Sequence, residues 1–120
     1  MESTTQIAAR LAALCGQGQF EKAQKELFAD DVISIEPEAS PAFAKEQKGL
    51  AAIIAKGHQF EGMVEKIHGI KVSDPLVTGN CFAFTLSMDI TMKGQGRANM
   101  DELCVYQVKD GKVVSEQFFM

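Results

Sequence analysis

The sequence predicts an α+β domain, with helices packed on one face of a strongly curved antiparallel sheet. Two patterns carry this prediction. In the first third of the chain, apolar residues recur at helical spacing: Ile7, Leu11 and Leu14 behind a Ser3-Thr4-Thr5-Gln6 capping box. In the last third, Phe82, Phe84, Leu86, Met88, Ile90 and Met92 alternate with Ala83, Thr85, Ser87, Asp89, Thr91 and Lys93. A period of two over that length means a long strand with one buried face. Helices first and strands afterwards is the α+β order.

Each element follows from local chemistry. The first helix stops near Gly16 or Gly18. A second starts around Gln19, with Phe20, Ala23, Leu27 and Phe28 as its buried stripe, and Asp30-Asp31 is expected to end it. Val32-Ile33-Ser34-Ile35 reads as a short strand, and Pro37 and Pro41 keep the next segment irregular. A third helix, rich in Ala and Ile, runs from Leu50 to about Phe60 behind Gly49. Val64 to Val77 reads as a strand interrupted at Asp74-Pro75. Thr78-Gly79-Asn80, Gly94-Gln95-Gly96 and Asp110-Gly111 then supply the turns between the remaining strands, the last running from Lys112 to Met120. Residues 1–120 form one domain without repeat or linker.

Bulk properties narrow the function. A formal charge of -4 gives no electrostatic reason to bind nucleic acid or an anionic membrane. No apolar run approaches the roughly 20 residues that span a bilayer. Cys15, Cys81 and Cys104 are odd in number, widely spaced and without a CxxC pair, which argues for a reducing compartment and against a disulfide framework or zinc site. The start Met1-Glu2-Ser3-Thr4-Thr5 has no secretory pattern, so the expected location is the cytoplasm. No cofactor or metal is expected.

Phe28-Ala29-Asp30-Asp31 followed by Glu36-Pro37 places an acidic turn, a short apolar strand and a carboxylate beside a proline in one run. Gly49 with Ala51-Ala52-Ile53, Phe82-Ala83-Phe84-Thr85 with Ser87, and Gly111-Lys112-Val113-Val114-Ser115 follow in order. Together these resemble the ketosteroid isomerases and the polyketide cyclase-like branch of the nuclear transport factor 2-like superfamily. The resemblance implies a cone-shaped fold in which three N-terminal helices and the curved sheet enclose a pocket. It also implies a homodimer through the outer face of the sheet. Leu103, Val105 and Val113 are the residues expected on that face.

By the same resemblance, Glu36 takes the place of the base that shuttles a proton from a carbon next to a ketone. The isomerases add an oxyanion hole built from a tyrosine on the first helix and a protonated aspartate on the penultimate strand. Here the first helix offers Leu11 or Ala12, the only tyrosine is Tyr106, and the strand position aligns with Cys104. The resemblance therefore carries the base without those donors.

Strand parity supplies other candidates. Glu102 shares a face with Cys104 and Tyr106, and two carboxylates in one site push one proton affinity upward. Asp101 falls on the opposite face. Tyr106 offers a phenol as an altered oxyanion donor, set against an ordinary core tyrosine. His68 shares a face with Ile70 and Val72 as an acid-base or anchoring candidate, and His58 is expected near the pocket mouth. Phe60, Phe82, Phe84, Leu86, Met88, Met100, Cys104, Phe118 and Met120 are the expected apolar wall, with Glu116 on the face of Phe118 and Met120.

Two functions follow. One is a cofactor-independent isomerase, cyclase or hydratase acting on an apolar carbonyl compound, with Glu36 as base and Tyr106, His68 or Glu102 stabilising or returning the proton. The other is a non-catalytic ligand-binding or assembly module on the same fold.

Overall fold

The structure, a computed structural model, describes residues 2–120. Helix α1 (Thr4–Gly16) opens on the expected capping box. The Gln6 amide donates to Ser3 Oγ at 3.1 Å, and the Ser3 amide donates to Gln6 Oε1 at 2.8 Å. Its apolar stripe, Ile7, Ala8, Leu11, Leu14 and Cys15, is buried. Gly18 takes the left-handed φ of 74° that turns the chain into α2 (Phe20–Leu27), which buries Ala23 and Leu27.

Strand β1 (Phe28–Ile35) starts with no intervening turn. Phe28 is its first residue rather than the last helical one, and Asp30-Asp31 lie inside the strand instead of ending the helix. Pairing decides this boundary. Phe28 is opposite Val113 and Ile33 opposite Ser115, with a register shift between the two pairs that accommodates the aspartates. A short strand with no apolar signal, β2 (Glu46–Lys48), pairs antiparallel with the end of β1. Gly49, at φ 94°, then donates its amide to Val32 O at 2.8 Å, which seats the start of α3 (Leu50–Met63) against β1.

The remaining strands are β3 (Val64–Val72), β4 (Leu76–Thr78), β5 (Cys81–Met92), β6 (Gly96–Lys109) and β7 (Lys112–Phe119). Among the described residues the sheet has seven strands in the order β2-β1-β7-β6-β5-β3, with β4 also against β5. It is antiparallel except between β1 and β7, which run parallel. This one pairing closes the first strand onto the last, and the sheet stays open between β2 and β3.

The core lies between the helices and the inner sheet face. Phe82, Phe84, Leu86, Met88 and Ile90 are all buried, as the alternation requires. Phe82 stacks on Tyr106 at a centroid distance of 4.9 Å, and Phe84 and Phe28 pack against the same ring at 5.3 and 6.4 Å. Burial of an apolar side chain of this size contributes about 1.5–3 kcal/mol. Val113 belongs to this core and not to the outer face, because a register shift between Gln107 and Val108 sets it opposite Val108.

Candidate active site

The polar centre is assembled where β1, β7 and β6 cross beneath α3. Parity on β1 puts Val32, Ser34 and Glu36 on the inner face. Ser34 stands opposite Glu116 in the parallel pair, and Glu116 stands opposite Tyr106 in the next one. One row of the sheet thus reads Ser34, Glu116, Tyr106, Phe82. The neighbouring row brings Phe118 beside Cys104 and Phe84. Beyond it, Glu102 is opposite Leu86.

Helix α3 lowers one side chain into this arrangement. Lys56 follows the fully buried Ile53 by three residues and precedes Phe60 by four, so it shares their face. Its Nζ donates to Glu36 Oε1 at 2.8 Å and to Ser34 Oγ at 2.9 Å. Ser34 in turn donates to Glu116 Oε1 at 2.8 Å. The ammonium also lies 5.4 Å from the centre of the Phe118 ring, within cation–π range. Ser34 and Glu116 are buried, at 0% and 4% exposure.

Three carboxyls face one ammonium, and burial raises two of them. Desolvation, helped by the charges of Glu36 and Glu116, pushes Glu102 up to about 7. Desolvation also pushes Glu116 up to about 7, against the opposing pull of Lys56 and Ser34. Glu36 is the carboxylate that Lys56 grips directly.

Glu102 is the carboxyl that reaches open space. It lines a cleft of about 400 Å³ with Thr85, Leu86, Asp101, Leu103, Phe119 and Met120, where β7 ends and β6 continues. The cleft is therefore at the rim of the sheet, and its walls are apolar apart from Asp101, Glu102 and Thr85. A carboxyl that is half neutral near pH 7 can either donate or accept a proton there.

The residues proposed from sequence divide accordingly. Glu102 feels the charges of Glu36 and Glu116 across the inner face, where Phe118 lies beside Cys104. Leu86 and Met120 line the cleft. Phe82, Phe84 and Cys104 are core, at 1%, 2% and 0% exposure. Met88 is buried too, while Met100 and Phe60 pack half-buried at the edge of the core. Tyr106 is buried among Phe28, Phe82 and Phe84, and burial lifts its phenol well above the usual range. Burial likewise pushes the Cys104 thiol up and Cys15 up to about 12, so neither is an activated nucleophile.

His68 does not point inward. The β3–β5 register shifts between Ile67 and Gly69, and the bulge turns His68 out of the Ile70 and Val72 face. Its exposed ring meets Thr91 Oγ1 at 2.7 Å, near Asp89. His58 is exposed as well, bonding Glu21 on α2 rather than rimming the cleft. Among the described residues there is no cluster of His, Cys, Asp and Glu suited to a metal ion.

Sequence reasoning missed Lys56 and the partnership of Ser34 with Glu116. Helical spacing from Ile53 and Phe60 is the signal that places Lys56 on the inner face.

A family model of the SnoaL-like domain matches residues 2–120. The chain belongs to the SnoaL-like domain family. It thereby sits in the nuclear transport factor 2-like superfamily. A protein of Mesorhizobium loti named as a SnoaL-like polyketide cyclase shares 32% identity with this SnoaL-like chain at a TM-score of 0.92, covering 99% of it and 100% of the other chain. A Xanthomonas campestris protein of unknown function with a cystatin-like fold is 19% identical at a TM-score of 0.82, covering 98% and 90%. TerC, crystallised with polyporic acid, is 15% identical at a TM-score of 0.77, covering 98% and 92%. No curated protein matches the chain. The last two likenesses establish the fold, and the SnoaL-like fold includes polyketide cyclases and isomerases.

Proposed function

We propose that this SnoaL-like chain binds a small apolar carbonyl compound in the cleft beside Glu102 and moves a proton on it without a cofactor. The reaction class is isomerisation, cyclisation or hydration. Glu36 takes the proton from the carbon next to the carbonyl. Glu102, raised by burial to about 7, donates in its protonated form to the carbonyl oxygen and stabilises its developing charge. The observation that carries this reading is the charge coupling of two carboxyls in different settings: Glu36 is held by an ammonium, while Glu102 is desolvated on a cleft wall and feels the charge of Glu36. Glu102 lies on the penultimate strand, so it fills the oxyanion role that Cys104 cannot. The polyporic acid held by TerC supports a small-molecule occupant for this fold.

The test is turnover of a panel of enones and polyketide-like diketones by wild type, Glu36→Gln and Glu102→Gln. Turnover lost in Glu36→Gln, and reduced in Glu102→Gln, supports the reading. Turnover equal in all three overturns it.

A second reading is a ligand-binding or assembly module acting as a homodimer, and the outer sheet face favours it. Leu76, Leu103 and Phe119 are 79%, 40% and 47% exposed, and Leu76 stands beside Ala83 in the row that also contains Val105. A second copy of the chain is the occupant proposed for this face, since two-fold self-association is the commonest oligomer.

A further inference from the structure

Glu116 is a buried carboxyl that the proposed chemistry does not touch, yet it ends an unbroken series of hydrogen bonds. The series runs from Glu36 Oε1 to Lys56 Nζ at 2.8 Å, on to Ser34 Oγ at 2.9 Å and then to Glu116 Oε1 at 2.8 Å. The ammonium donates both ways, outward to Glu36 and inward to Ser34, and the Ser34 hydroxyl carries the inward direction on by donating to Glu116. Glu36 is partly exposed at one end, with 23% of its side chain accessible, whereas Glu116 is sealed at the other.

We propose that Lys56 and Ser34 form a proton relay that passes the proton taken up by Glu36 inward to Glu116, which stores it. The inference rests on the reading of Glu36 as the base. The steps balance. A Lys56 N–H proton goes to Ser34 Oγ as the Ser34 O–H proton goes to Glu116, and protonated Glu36 refills Lys56. The net change is one proton leaving Glu36 and one arriving on Glu116, with the ammonium and the hydroxyl restored. Running the same bonds in reverse returns the proton to Glu36 and frees it for product. No oxidant, metal or co-reactant takes part.

The surroundings suit the storage role. Facing Glu116 are Ser34 of β1 and Glu36 just past its end, Lys56 of α3, Glu102, Cys104 and Tyr106 of β6, and Cys15 of α1. Lys56 is the one cation in that set, and burial drives Glu116 towards its protonated form near neutrality. Both thiols and the phenol stay protonated, because burial raises all three. They add no competing charge and accept no proton. A serine between the ammonium and the carboxyl has a further consequence. Its hydroxyl both accepts and donates, which an alanine at the same position cannot do.

The test is the carboxyl ¹³C line shape of Glu116 across its titration, in the full chain without ligand. In wild type the relay exchanges the Glu116 proton with Glu36 and solvent, so the protonated and ionised forms average into one moving line. In Ser34→Ala the store is cut off while both carboxyls and the ammonium remain. There the expected result is two separate lines, or a line broadened away near its midpoint. Lys56→Met, altered on the partly accessible helix, breaks the same relay by another route and guards against a folding defect at buried Ser34. Dispersed amide spectra confirm the fold of each variant. A single averaged line in both variants, or a wild-type Glu116 that does not titrate between about pH 5 and 9, overturns the proposal. The line shape needs no substrate, so the relay and the base reading fail separately: turnover decides one, exchange the other.

Discussion

Lys56 Nζ lies 2.8 Å from Glu36 Oε1 and 2.9 Å from Ser34 Oγ, and a single helix side chain thereby ties the end of the first strand to a carboxyl on the last. Lys56 and Glu36 are 14% and 23% exposed, so the pair is shielded well beyond an ordinary surface ion pair.

Replacing the lysine therefore has a cost. Lys56→Met leaves Glu36 and the Ser34–Glu116 pair without their cation, and we expect a loss of about 1–3 kcal/mol at pH 7. Chemical denaturation checks it. Titration of the same variant shows Glu102 and Glu116 gaining protons at higher pH than in wild type, since Lys56 holds both down.

Stability falls as pH rises from about 4.5 to 7. Burial pushes Glu102 and Glu116 up to about 7, from an ordinary carboxylate value of 4.5. In that window the folded chain holds protons that the unfolded chain has released, so each step up in pH favours unfolding. The contribution is fully present below the unfolded value and gone above the folded one. It amounts to a few kcal/mol in all. Glu21, Glu26 and Asp89 are shifted down by their partners and act in the opposite sense, but they are solvent-screened surface groups. Denaturation midpoints at pH 5 and pH 7.5 measure the difference, and a double variant Glu102→Gln/Glu116→Gln flattens it.

Phe84 and Tyr106 separate core from chemistry. Phe84→Ala opens a hole in the core beside Phe82 and Tyr106 and costs about 3–5 kcal/mol in denaturant unfolding. Tyr106→Phe keeps the ring stack on Phe82 at 4.9 Å and removes only the hydroxyl. Under the proposed mechanism it leaves turnover within about twofold of wild type, a change of about 0.4 kcal/mol in barrier. A loss comparable to that of Glu36→Gln would restore Tyr106 as the oxyanion donor.

The outer face makes the fourth prediction. Leu103→Glu puts a charge among Phe119, Val105 and Thr85 without entering the core. Sedimentation at micromolar concentration is expected to show a dimer for wild type and a monomer for the variant, with equal thermal transitions for the isolated subunit.

Much of this molecule is legible in one dimension. The alternation from Phe82 to Ile90 gives both the strand and its buried face, because side chains on a strand alternate without exception between bulges. The Ser3–Gln6 capping box is equally local. Parity alone also groups Glu102 with Cys104, and Glu116 with Phe118. Bulges are where the reading breaks. His68 and Val113 both lie at register shifts, and each faces opposite to its expected side. The start of β1 at Phe28 is set by pairing with Val113, a partner that no nearby residue announces. β2 carries charges and a glutamine and exists only because β1 offers it an edge. The centre of the site is the least visible, since Ser34 and Glu116 meet across 82 positions and Lys56 reads as one more helix lysine until its face is known.

The parallel junction of β1 with β7 sets a timetable for synthesis. Ser34 leaves the ribosome 82 residues before Glu116 does, a delay of roughly 4–16 s at common elongation rates. Through most of that interval Glu36 and Ser34, joined after 22 residues by Lys56, stand at the end of a first strand whose inner neighbour has yet to be made. The hydrogen-bonded series is completed in a single event, when β7 slides between β1 and β6.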